Sequence, residues 1–102
     1  MNVQFATEEL ERLYSTPQAE LRGKQRLPQQ VITQYKKLVT LLLALVAPED
    51  LRQFKGLRYE PLKGKRKGQC SLRLNDQYRL IVVPLNEETV RIVIYEISKH
   101  YE

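Results

Sequence analysis

Arg73 and Arg79 are the side chains of this sequence best suited to chemistry on an anion. A guanidinium presents a planar fork of N–H donors that fits two phosphate oxygens at once, which a lysine ammonium does not. The two arginines flank Asn75-Asp76-Gln77, between stretches that alternate like strands. If the loop held only Asn75 and Asp76, Leu72 would lie opposite Arg79 and mix apolar with charged on one face. A three-residue loop ending at Gln77 pairs Leu74 with Tyr78 and Leu72 with Leu80. That register keeps each face uniform, because a one-residue slip flips every side chain. It also sets Arg73 opposite Arg79 on the other face, with Ser71 beside them. Directly opposed cations repel each other. The face carrying them is therefore predicted to bind phosphate.

Charge elsewhere supports this. The chain of 102 residues has a net charge of +5. Between Lys55 and Arg79 eight basic side chains stand against Glu60 and Asp76, a local +6 that leaves the remainder at −1. Basic charge gathered in one block is the electrostatic footprint of a polyanion binder. A well-solvated loop is the alternative for a charge run taken alone. One His and one Cys among scattered carboxylates make no zinc-ligand set, and Gly64-Lys65-Arg66-Lys67-Gly68 lacks the spacing of a Walker phosphate loop. No metal or cofactor is expected. The single Cys70 fits a reducing compartment. No basic, then apolar, leader opens the sequence, and the longest apolar run, Leu41 to Ala47, is too short to span a bilayer. A soluble cytoplasmic protein without membrane contact is expected.

These residues need a scaffold. The length suits one domain, residues 1–102, and the hydrophobic fraction of 42% is ordinary for a packed core. Val3-Gln4-Phe5 alternates like a short strand. Thr7 caps a helix whose first turn holds Glu8 and Glu9, with Leu10, Leu13 and Tyr14 on one face. Pro17 stops it, and the polar stretch from Gln18 to Arg26 reads as a connection or a frayed turn. Pro28 suits a first helical position, and Val31, Tyr35, Leu38, Leu42 and Leu45 form the stripe of a long helix, widened by Leu41, Leu43 and Val46. Pro48 ends it, with Glu49-Asp50-Leu51 an extra turn. Four strands are predicted afterwards, over 57–62, 69–74, 78–84 and 90–97. Helices followed by a strand meander predict an α+β fold, the N-terminal helices packed on one face of a mostly antiparallel sheet of four to five strands.

The run from Leu62 to Leu80 (Leu-Lys-Gly, a basic turn, Gly, a strand, then Arg73-Leu74-Asn75-Asp76-Gln77-Tyr78-Arg79) closely resembles the signature of HigB toxins of the RelE/ParE superfamily. The motif covers about a fifth of the chain directly, and the order of elements extends the likeness to nearly all of it. The resemblance implies a RelE-like fold in a type II toxin–antitoxin system, with a HigA-like helix-turn-helix antitoxin as partner. It further implies a ribosome-dependent endoribonuclease, an mRNA interferase cutting message in the ribosomal A site and so inhibiting translation. The alternatives are a non-catalytic ParE-like toxin acting on DNA gyrase, and a catalytically weakened relative.

Metal-free RNA cleavage needs a base for the 2′-hydroxyl, charge stabilisation at phosphorus and an acid for the leaving 5′-oxygen. Lys63 matches the family's catalytic lysine, stabilising charge or acting as base; Arg73 and Arg79 would hold the scissile phosphate. Lys65, Arg66 and Lys67 are assigned to RNA backbone. The family often has a histidine three residues before that lysine; here stands Glu60, either a base or a salt-bridge partner for Lys63. The tail departs as well. A gapless match sets the family's tyrosine on Tyr95 and its histidine on Glu96, whereas aligning on the histidine selects His100, preferred because His suits proton transfer near neutral pH. A solvated tail residue is the alternative for His100. Tyr95 or Tyr101 would stack on a base, while Tyr14 and Tyr35 fall on core stripes.

Overall fold

The computed structural model describes residues 1–21 and 26–99. Strand β1 (Asn2–Phe5) leads into helix α1 (Glu8–Ser15), where the Thr7 hydroxyl accepts the Leu10 N–H at 3.2 Å. A single helical turn, α2 (Gln18–Leu21), follows, the turn that was one of the two readings of this polar stretch, and its Leu21 is buried. Helix α3 spans Gln29–Ala44. Pro28 sits just before its first turn and supplies the carbonyl that both Val31 and Ile32 N–H groups use. Val31, Tyr35, Leu38 and Leu42 are buried as the stripe requires, whereas Leu43 and Val46 face solvent.

Beyond α3 the chain makes 3-10 turns at Pro48–Gln53 and Lys55–Leu57. The first includes the extra turn expected after Pro48, and Asp50 Oδ2 holds it by accepting the Ala47 N–H at 3.0 Å. The strand predicted over 57–62 shrinks to β2, Glu60–Pro61. Arg58 takes a left-handed conformation (φ 49°) that breaks the extension before it, and Pro61 lacks a ladder donor. Strands β3 (Cys70–Arg73), β4 (Tyr78–Asn86) and β5 (Val90–Lys99) complete the meander.

The five strands are ordered β1-β5-β4-β3-β2, all pairs antiparallel except β1 with β5. The α+β architecture with a mostly antiparallel sheet is the one expected. Leu72, Leu80, Val82, Ile92 and Ile94 face α3 and form the core with Ile32, Tyr35 and Val39. Pro84 is accommodated inside β4 because pairing with β3 has already ended at Val82, so only β5 flanks it.

The core makes stability sensitive to alkali. Burial pushes the Tyr35 hydroxyl well above the ordinary tyrosine value and does the same at Tyr59, where neighbouring Cys70 adds to it. An unfolded tyrosine ionises near pH 10, while these two stay neutral in the fold. Their contribution is complete below about pH 10 and is lost as pH climbs past it, because the unfolded chain then releases protons the native state retains. Thermal melts above about pH 10 should show a falling midpoint, and Tyr35→Phe should make that fall shallower.

Candidate active site

The observed register pairs Leu72 with Leu80 and Arg73 with Arg79, as the hairpin argument required. Asn75 locks the loop: its Oδ1 accepts the N–H groups of Gln77 and Tyr78, both at 2.8 Å, and the Leu74 N–H bonds to the Tyr78 carbonyl. The side-chain amide thereby replaces missing ladder partners, the usual service of Asn in a turn. Arg79 Nη1 donates to the Asn75 carbonyl at 2.7 Å and the Tyr78 carbonyl at 3.2 Å, fixing one edge of its guanidinium. Arg73 pairs instead with exposed Asp76. Each arginine has local anchoring, which offsets the repulsion between them.

A bulge brings a further charged strand residue onto this face. Ile81 pairs with Glu96 but Val82 pairs with Ile94, so Tyr95 is the extra residue of β5. The core series therefore runs Ile92, Ile94, Ile97, and Glu96 turns outward beside Ile81 rather than into the core. Across the sheet the row reads Glu60, Ser71, Ile81, Glu96; the next reads Arg73, Arg79, Ser98. Glu60 thus shares the face with both arginines.

The basic loop between β2 and β3 is built on two glycines. Gly64 (φ 65°) and Gly68 (φ 95°) occupy left-handed backbone that a β-carbon makes costly. Between them Gly64–Arg66 forms a 3-10 turn, and the Leu62 N–H closes the loop on the Gln69 carbonyl at 2.8 Å. Arg66 donates to Gln69 Oε1 at 2.8 Å and to Glu96 Oε1 at 3.0 Å. Because Glu96 lies on β5, this guanidinium reaches over β3 and β4. Ser71 and Ile81 in the row beneath are 8% and 4% exposed although they lie on the outer face.

Lys63 stands exposed where that loop begins, and Lys65 and Lys67 are exposed within it. Glu60 and Lys63 form no ion pair among the described residues, so the salt-bridge alternative for Glu60 has no support here. Tyr95, 43% exposed at the bulge, remains open to a ligand. Tyr35 is core, as expected, while Tyr14 is half-buried and bonds Thr40 through its hydroxyl. His100 and Tyr101 lie outside the described residues. Glu96, the position that the gapless match offered and that was set aside for His100, is brought onto this face by the bulge. Its signal was the broken alternation of Ile92, Ile94 and Ile97, visible once a bulge is allowed.

The family model for the RelE-like toxin of the type II toxin–antitoxin system HigB matches residues 3–95. The chain is 35% identical over 81 residues to Toxin HigB-1 of Vibrio cholerae serotype O1, covering 79% of this chain and 81% of that protein. In three dimensions it is similar to YafQ from E. coli strain BL21(DE3), with TM-score 0.60, 13% identity, and coverage of 96% of this chain and 91% of that one. It is similar also to a YoeB/ParE toxin from Agrobacterium tumefaciens, with TM-score 0.56, 15% identity, and coverage of 99% and 100%. At such identities the structural likeness bears on fold alone. The family match stops one residue short of Glu96, so the departing tail lies beyond it.

Proposed function

Because the chain belongs to the HigB family of RelE-like toxins of type II toxin–antitoxin systems, we propose that it is a metal-independent endoribonuclease that cuts message in the ribosomal A site. The observation that carries this reading is the shared outer face: Glu60, Arg73, Arg79 and Glu96 on adjacent strands, spanned by the basic loop that begins at Lys63. In the proposed reaction Arg79 and Arg73 hold the scissile phosphate and Lys63 stabilises the charge that builds on its oxygens. Glu60 takes the proton of the 2′-hydroxyl, whose oxygen forms the new bond to phosphorus. The bond from phosphorus to the 5′-oxygen breaks, leaving a 2′,3′-cyclic phosphate, and the departing oxygen receives a proton from His100. Lys65, Arg66, Lys67 and an aromatic of the tail grip the RNA. The cognate antitoxin is a HigA-like helix-turn-helix protein, and the site of action is the cytoplasm.

Primer extension on a reporter mRNA in a reconstituted translation reaction tests the reading. New 5′ ends that need both ribosomes and the wild-type protein, and that vanish with Lys63→Ala, are the expected result. Comparing His100→Ala with Glu96→Gln assigns the acid: the variant with the larger loss and an altered pH profile identifies it. Growth arrest without any cleavage would overturn the nuclease and direct the next assay to gyrase.

A further inference from the structure

A second basic site lies beside the first. The 3-10 turns and the approach to β2 enclose an open cleft of about 330 Å³, lined by Arg52, Phe54, Lys55, Arg58 and Tyr59 and bordered by Glu60. Three cations converge on it, and none of them is in an ion pair among the described residues. The Arg52 guanidinium lies over the Tyr59 ring, 5.4 Å from its centre, and is thereby held as a flat platform. Phe54, a ring of the type normally buried, is 38% exposed at the cleft. Arg58 holds its place through the left-handed conformation noted above, which costs any residue bearing a β-carbon. Strain of that kind concentrates at ligand sites.

We infer that this cleft is a subsite for single-stranded RNA. Lys55 and Arg58 take backbone phosphates, and the Phe54 ring with the Arg52 plane stacks an unpaired base. An acidic peptide would explain the cations but would leave the exposed aromatic ring and the flat guanidinium without a role. A nucleotide uses both, because every base has a face that stacks while its phosphate needs charge. Glu60 belongs at once to the cleft rim and to the row beside Arg73 and Arg79. The subsite would therefore hold the nucleotide neighbouring the one cleaved. This assignment rests on the reading of RNA as substrate.

Binding is measured without ribosomes, by fluorescence anisotropy of a labelled single-stranded RNA oligonucleotide of mixed sequence across a series of KCl concentrations. Phe54→Ala should weaken binding about tenfold while Phe54→Trp retains it. The double variant Lys55→Gln, Arg58→Gly should make the slope of log K against log salt shallower by about 1.4, the loss of two phosphate contacts. Glycine tolerates the left-handed conformation, so this variant keeps its fold. RNA binding that responds to these variants, in a protein that cleaves no message, would retain the subsite and remove the nuclease. Cleavage by a protein whose affinity and salt slope ignore the variants would do the reverse. Equal competition by a polyglutamate peptide, with Phe54→Ala silent, would also overturn the assignment, leaving only a nonspecific anion patch.

Discussion

Arg79→Ala is expected to lower the single-turnover rate of message cleavage by about a hundred- to a thousandfold, the usual cost of losing one preorganised donor to a developing oxyanion. Two carbonyls hold one edge of this guanidinium, at 2.7 and 3.2 Å, so less side-chain freedom is left to lose when an anion binds its other donors. Arg79→Lys should recover little, because an ammonium cannot span two oxygens in a plane. Arg73→Ala should cost less, since Asp76 already engages that side chain. Asn75→Ala provides a further check. It removes the acceptor of two backbone N–H groups, loosens the turn that carries Arg79, and should reduce cleavage through position rather than charge. Primer extension with pre-bound ribosomes reads the rates, and circular dichroism confirms folding. Full activity in both Arg73→Ala and Arg79→Ala would remove the phosphate from this face.

Tyr35→Ala should destabilise the fold by about 3–5 kcal/mol, as truncating a large buried aromatic does. Tyr35 is wholly buried between α1 and the sheet, and its hydroxyl donates to the Leu10 carbonyl at 2.6 Å. Domains of this size have about 5–15 kcal/mol in total, so the variant approaches the threshold for unfolding at growth temperature. Tyr35→Phe keeps the packing and loses one hydrogen bond, at a cost of about 1 kcal/mol. Urea denaturation separates the two. Equal losses would mean that the hydroxyl, and not the ring, holds α1 to α3.

The sequence alone determined what is local or periodic. The α3 stripe, the Thr7 cap and the helix stop before Pro48 follow from backbone donors and 3.6-residue spacing. So does the hairpin register, because Leu72, Leu74, Tyr78 and Leu80 permit one slip-free alignment of apolar faces. The family likeness was readable too, because the run from Leu62 to Leu80 is contiguous in the chain.

Only the tertiary structure decided what depends on distant strands. The bulge at Tyr95 is a mismatch between β4 and β5, a property of the pair that neither strand carries by itself. It turns Glu96 outward to meet Arg66, thirty residues earlier, across two intervening strands. Arg52 and Phe54 carried no signal of a site in the sequence. They become the lining of a cleft because Arg58 reverses the chain and brings Tyr59 beneath the Arg52 guanidinium. Parallel pairing of β1 beside β5 is of the same kind, since α1 to α3 and β2 to β4 separate in the chain two strands that only the packed core brings together. Short-range sterics and periodicity act on neighbours in the chain. Long-range pairing is chosen by the burial of the whole apolar face, and the site inherits that choice.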